Sequence, residues 1–268
     1  MVRRIYNKEA VLDGKVHRLD SIDDYIEFVL CFPLEKCKEL DYRVKLLQKN
    51  GFTALIEYGA SILGHRVIGK GYASITVLAY HKYYGLGLLK LRRIDSRRTT
   101  LEYEGMILDY LDRTGYTPLL YTWSREYVFM EYLKNCKSIV HVFDELVKQR
   151  DVNSVKNTLR RVLSALYLID LLGVDHGEVN RPYSHILLCD SLVKIIDWES
   201  CSTIRKPHNL TSFVSYLLFR YPMRRALFEL LGLDNRNVEE VLSLLRTYKN
   251  TYSIEVFKQI EKILSLSS

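Results

Sequence analysis

Hydrophobic positions repeat along this chain with two different periods. Within 34–48, Leu34, Cys37, Leu40, Val44 and Leu47 fall at three- and four-residue steps, which predicts a helix with one apolar face, stopped by Lys49-Asn50-Gly51. Residues 62–93 change character. They are rich in Gly and β-formers and alternate through Ser-Ile-Thr-Val-Leu-Ala-Tyr-His, so three short strands separated by glycine turns are expected. Residues 99–113 read as a helix ending at Gly115, and Thr-Pro-Leu-Leu-Tyr-Thr and Glu-Tyr-Val-Phe-Met-Glu-Tyr-Leu read as two further strands. From Ser138 the pattern turns helical. Leu159, Val162, Leu163, Leu166, Ile169 and Leu172 make a long apolar stripe that Gly173 ends. Two short apolar strands follow, His-Ile-Leu-Leu and Val-Lys-Ile-Ile-Asp, and everything after Pro207 reads as three or four short helices. The order is a sheet-rich half, a linker near 131–135 and a helical half, with no internal repeat.

Composition narrows the class. The chain has 268 residues, 48% hydrophobic and 26% charged, the balance of an ordinary globular protein with enough apolar surface to offset chain entropy. No apolar run approaches the ~18 residues of a membrane span, so no membrane partner is expected, and the N-terminus shows no apolar signal core. Cys31, Cys37, Cys136, Cys189 and Cys201 are scattered and odd in number, with no paired Cys-x-x-Cys. Neither a zinc site nor a disulfide framework is expected; reduced thiols and a cytoplasmic location are. The net charge of +7 points to an anionic partner, or to solubility alone. Basic residues cluster at Arg92-Arg93 with Arg97-Arg98 and at Arg205-Lys206, which suits contact with RNA or a ribonucleoprotein, or a solvated face. Tyrosine is frequent, 20 residues, without a functional reading.

Candidate chemistry begins at Gly69-Lys70-Gly71-Tyr72-Ala73-Ser74, between two predicted strands. Glycines there let backbone N–H groups approach phosphates, or simply turn a hairpin. Lys90, in the apolar strand Gly-Leu-Leu-Lys-Leu, sits where a kinase strand carries its phosphate-neutralising lysine, and such a lysine needs a carboxylate to hold it. Glu104 on the next helix is assigned as that partner, with Glu102 as the second choice. Asp175-His176-Gly177-Glu178 joins the long helix to a short strand and lies over a kinase His-Arg-Asp loop. Where the kinase pattern has Asn five positions after the Asp, this chain has His185 seven positions after Glu178, with Asn180 nearby and out of register. Ile195-Ile196-Asp197-Trp198-Glu199-Ser200 ends an apolar strand on an Asp, the arrangement of the magnesium-holding Asp-Phe-Gly. Glycine loop, strand Lys, helix Glu, Met-Glu-Tyr-Leu, His-Gly-Glu and Asp-Trp-Glu follow in kinase order.

These motifs resemble the atypical, RIO-like serine/threonine kinases of archaea, especially the predicted kinases with a His-Gly-Glu loop. The chain is also similar to the small kinase of the KEOPS complex and, in Ile-Asp-Trp-Glu, to aminoglycoside and choline phosphotransferases. The resemblance spans 67–216. It implies an α+β, bilobal protein-kinase-like fold, with a small antiparallel N-lobe carrying one key helix over 61–133. A reduced helical C-lobe would cover 134–268; the N-terminal helical extension expected over 1–60 is read from the charged, mostly helical pattern of the first 50 residues, which the resemblance does not cover. The resemblance implies that Gly69, Lys70, Gly71 and Ser74 cover the phosphates, that Lys90 held by Glu104 contacts them, and that Met130 is the gatekeeper. Glu131 to Leu133 would be the hinge for adenine. Glu178 would stand in the place of the catalytic Asp, and Asp197, with His185, in the metal positions.

The activity so implied is ATP- and Mg²⁺- or Mn²⁺-dependent transfer of the γ-phosphoryl group to a Ser or Thr hydroxyl of a protein or of the enzyme itself. Two alternatives stay open: a small-molecule kinase, and a nucleotide-binding pseudokinase scaffold in RNA- or ribosome-associated work. Histidine suits Mg²⁺ poorly, so His185 is open between a phosphate contact, a manganese ligand and a sign of lost activity.

Overall fold

The computed structural model describes residues 13–266, with side chains to Leu264. It is an α+β structure of two compact units, which among the described residues are 13–113 with 118–133 and 114–117 with 134–266.

The first unit is built on an antiparallel sheet. Strand β1 (Lys15–Arg18) leads into helix α1 (Asp24–Cys31) and helix α2 (Leu40–Lys49). Strands β2 (Phe52–Glu57), β3 (Ala60–Ile62), β4 (His65–Val67), β5 (Gly69–Lys70), β6 (Ser74–His81) and β7 (Gly85–Arg92) follow. Helix α3 (Glu102–Leu111) and strands β8 (Leu120–Trp123) and β9 (Tyr127–Met130) complete the unit. The sheet order is β1-β2-β6-β7-β9-β8, with β5 on β6, while β3 and β4 form a separate hairpin. The alternation in 74–81 does what it promises: Ile75, Val77 and Ala79 point into a core shared with Leu89, Leu91, Phe52 and Phe129. Helix α1 starts because the Asp23 side chain accepts the Ile26 N–H, 3.1 Å, and it buries Tyr25, Ile26, Val29 and Leu30 in the same core.

Two expectations for the N-terminal region change. It is not helical alone, since β1 and β2 pair with each other and β2 with β6. Four- and six-residue strands whose pairing partners lie elsewhere carry too little period to be read locally. The helix expected over 34–48 begins only at Leu40; Leu34 is exposed, and Cys37 is bridged to Cys31. Residues 1–12, read as part of the extension, lie outside the described residues.

The second unit is mainly helical. A short strand β10 (Lys137–Ser138) precedes α4 (Ile139–Lys148), the long α5 (Val152–Leu171) and the single turn α6 (Pro182–His185). Strands β11 (Ile186–Cys189) and β12 (Leu192–Ile195) then lead to α7 (Asn209–Phe219), α8 (Arg224–Leu231), α9 (Asn235–Thr251) and α10 (Ile254–Glu261). Asp151 caps α5 by accepting the Ser154 N–H, and Asp234 with Asn237 forms a reciprocal capping box on α9. The α5 stripe is core, with Leu159, Val162, Leu163, Leu166 and Ile169 buried.

The expectation of five reduced thiols is corrected. Disulfides join Cys31 to Cys37 and Cys136 to Cys189, and Cys201 is buried outside both bridges. The β10–β11 register, Lys137 opposite Leu188, brings Cys136 beside Cys189 from 53 residues away. A cytoplasmic location inferred from reduced thiols loses that support. No helix among the described residues is long and apolar enough to cross a membrane.

Candidate functional site

In the first unit, Lys90 lies on β7, paired to Thr76 on one side and Val128 on the other, so its backbone is fixed by two neighbouring strands. Its ammonium donates to Glu104 Oε1 at 2.7 Å, and both side chains are buried. Glu104 reaches the sheet because α3 lies close to it. A Cβ at Gly105 would meet Trp123 Cγ at 2.5 Å, so only glycine allows the approach. Glu102 is engaged elsewhere, accepting the Thr100 hydroxyl at 3.1 Å. Glu104 Oε2 is buried with no hydrogen-bond partner among the described residues, an acceptor that a donor on a ligand would satisfy.

The glycine segment is a hairpin. Gly69 and Lys70 form β5, paired with Thr76 and Ile75, and the Gly71 N–H donates to Ser74 O at 2.8 Å. That N–H is therefore committed within the turn. Ser74 is buried, and its Oγ has no hydrogen-bond partner among the described residues. Met130 is buried at the end of β9 opposite Leu88 and Leu120. Glu131 is tied to Leu119 twice, donating its N–H at 2.8 Å and accepting the Leu119 N–H on Oε2 at 3.1 Å. Leu133 is half-buried.

In the second unit, His176, Glu178, His185, Asp197 and Ser200 gather around one loop. His176 is buried, and one ring nitrogen bonds Ile196 O at 3.0 Å while the other accepts the Glu178 N–H at 3.3 Å. Burial lowers its pKa from 6.5 to about 4, so the neutral imidazole is a structural pin. The pin ties the His-Gly-Glu loop to the strand end that carries Asp197. Asp197 itself is exposed and adopts a left-handed backbone, φ 64°, rare for a non-glycine residue. Glu178 accepts the Ser200 hydroxyl on Oε1 at 2.5 Å, while Oε2 lies 3.3 Å from His185 Nε2 and 3.5 Å from Arg181 Nη1. Asn180, the out-of-register amide, is exposed.

Residues that the motif order did not single out hold this loop. The Asn209 side chain accepts the His176 N–H at 2.9 Å and donates to Val174 O at 2.7 Å. Asp170 accepts from Asn209 N, Asn209 Nδ2, Leu210 N and Tyr248 OH, all within 3.1 Å. Asp175 accepts Arg205 Nε at 2.7 Å, and His208 Nδ1 lies 2.7 Å from its other oxygen. An Asp at a helix C-terminus with an Asn at the next long helix start was visible in the sequence, but its partners are 39 and 78 residues away.

Gly177 is the loop's steric hinge. Its φ is +86°, and a Cβ there would sit 2.7 Å from both Ser200 O and Arg205 Nη2. Gly177→Ala is expected to lower stability by about 1–3 kcal/mol, read as a fall in the unfolding midpoint.

No family model and no curated protein matches the chain.

The donor set bears on a metal. Among the described residues no group of three His, Cys, Asp or Glu side chains converges as a metal site. Mg²⁺ is ordinarily held by one or two carboxylates together with substrate phosphates, and the exposed Asp197 carboxylate suits that use. His185 does not: a nitrogen is a poor ligand for Mg²⁺, and its Nε2 already faces Glu178. The basic clusters are largely spent internally. Arg92 pairs with Glu126, which also holds Arg43; Arg93 pairs with Asp95; Arg205 pairs with Asp175; and Lys206 donates to Asn250.

Proposed function

We propose that the chain is an ATP-dependent phosphotransferase of the protein-kinase-like class, transferring the γ-phosphoryl group to a hydroxyl. The buried Lys90–Glu104 pair carries this reading. Taking two charges out of water costs several kcal/mol per ion, and a well-packed apolar pair is often as stable. An ion pair held on a sheet by a helix that needs Gly105 to approach is thus a device for presenting an ammonium, and phosphate oxygens are the ligand that ammonium neutralises.

In the reaction so proposed, Lys90, oriented by Glu104, draws charge from the transferring phosphate. Glu178 accepts the proton of the acceptor hydroxyl on Oε1 as the new bond to phosphorus forms. His176 keeps the loop in register, and Asp197 would hold Mg²⁺ against the phosphates. The metal, when bound, supplies charge neutralisation and in-line orientation. A RIO-like serine/threonine kinase is the class whose motif order the chain follows best. A nucleotide-binding scaffold is the second reading, favoured by the turning of His185 toward Glu178.

The test is incubation with γ-labelled ATP and Mg²⁺ or Mn²⁺, with casein as a generic acceptor, beside Asp197→Asn. Label on protein from the parent and none from the variant is the expected outcome. ATP binding by calorimetry with no label and no ADP from the parent would replace the enzyme with the scaffold.

A further inference from the structure

The carboxylate expected to receive a proton from an acceptor hydroxyl already holds a hydroxyl. Ser200 Oγ donates to Glu178 Oε1 at 2.5 Å, the short end of charge-assisted O–H···O⁻ bonds. The other oxygen of Glu178 faces the cationic or donor side chains of Arg181 and His185, so Oε1 is the one left for a hydroxyl. Ser200 is also anchored there. It closes the 3₁₀ turn Trp198–Ser200 directly after Asp197, and its carbonyl accepts Arg205 Nη2 at 2.6 Å. Its neighbour Ser202 shows the contrast. The Ser202 Oγ is turned to backbone and accepts the N–H groups of Ile204 and Arg205.

We propose that Ser200 is the chain's own phosphoryl acceptor, modified in cis. The inference rests on the phosphotransferase reading above and names the acceptor of that same site. In the step, a bond forms between Ser200 Oγ and the γ-phosphorus of ATP. The bond from that phosphorus to the β,γ-bridging oxygen breaks, and its electron pair leaves with ADP. The proton of Ser200 passes to Glu178 Oε1 and on to solvent. The product carries about −1.5 to −2 charges beside Glu178. Arg181 and Arg205, both solvent-exposed at the loop, are the cations that would neutralise it. Filling this position leaves Glu178 without a free hydroxyl partner, so incorporation stops at one phosphate per chain.

The experiment treats the full chain with phosphatase, adds ATP and Mg²⁺, and maps phosphate by peptide mass spectrometry over a hundredfold range of protein concentration. Phosphoserine at 200, approaching one per chain at a rate independent of protein concentration, supports the proposal. So does loss of that label in Ser200→Ala and its return in Ser200→Thr, with unfolding midpoints checked in each. Phosphate on casein or on another residue, with Ser200 unmodified, overturns the proposal and leaves the phosphotransferase reading standing. A per-chain rate rising with concentration overturns modification in cis. ATP binding without ADP formation on any acceptor overturns the phosphotransferase reading and this inference with it.

Discussion

Lys90→Met lowers the stability of the protein by about 3–5 kcal/mol, because it strands the Glu104 carboxylate in the sheet core. Glu104 is only 4% exposed, and one of its oxygens has no partner among the described residues even in the parent. Removing the ammonium 2.7 Å away leaves the other without its cation as well. Glu104→Leu is expected to lower stability as well, by taking the carboxylate contact at 2.7 Å away from Lys90. The double variant Lys90→Met/Glu104→Leu recovers most of the loss, since apolar residues of similar volume replace a buried pair at little or no net cost. Thermal unfolding checks all three, the single variants falling by roughly 10 °C and the double returning toward the parent. The double variant also separates two roles. If the pair exists to present an ammonium to phosphate, the recovered protein still fails to transfer phosphate. A double variant as unstable as the singles would mean that the pair is structural cement, and the main support for a nucleotide site would go.

How far the sequence reaches can be judged on the same residues. The strand bearing Lys90 and the helix bearing Glu104 were legible because both signals are local: alternation through β6 and β7, and a glycine-stopped apolar helix. Glu104 was preferred to Glu102 because a small residue and then apolar positions follow it, and in the structure Glu102 is turned to Thr100. Motif order also brought His176, Glu178 and Asp197 to attention. The rest depended on distance along the chain. The strand pairing of β1 with β2, the bridge from Cys136 to Cys189 and the contact of Ser200 with Glu178 join residues 22 to 53 positions apart. Such contacts are chosen by packing of the whole unit, and a single sequence has no periodic signature for them. The glycine segment was legible as a turn, which the β5–β6 hairpin is. Gly69 and Gly71 fit a phosphate loop by composition, yet a Cβ at Gly69 would meet nothing within 4 Å, and Gly71 spends its N–H inside the turn.

Asp170→Ala is the second large effect, at about 4 kcal/mol or more. The carboxylate takes four donors, and an unsatisfied buried donor costs about 1–3 kcal/mol. The loss is not confined to stability. Asn209 is fixed by Asp170 and in turn fixes the His176 N–H, so the loop carrying Glu178 loosens as well. Asp170→Asn separates the charge from the hydrogen bonds. An amide oxygen keeps the two Asn209 donors and Tyr248 can reorient, while the Leu210 N–H faces an NH₂ group. Burial pushes the Asp170 carboxyl up to about 6, against the pull of its donors. The unfolded carboxyl titrates near 3.9, so between the two values the folded state binds more protons and stability falls as pH rises. The penalty is absent below about pH 4 and complete above about pH 6, worth roughly 3 kcal/mol. An Asn at this position does not titrate. The stability gap between parent and Asp170→Asn is therefore expected to narrow by up to roughly that amount from pH 4 to pH 7, in urea titrations across that range. A gap that stays constant, or widens, would place the four donors above burial and keep Asp170 ionised throughout. The loop would then be held by a charge rather than by a carboxyl poised to protonate.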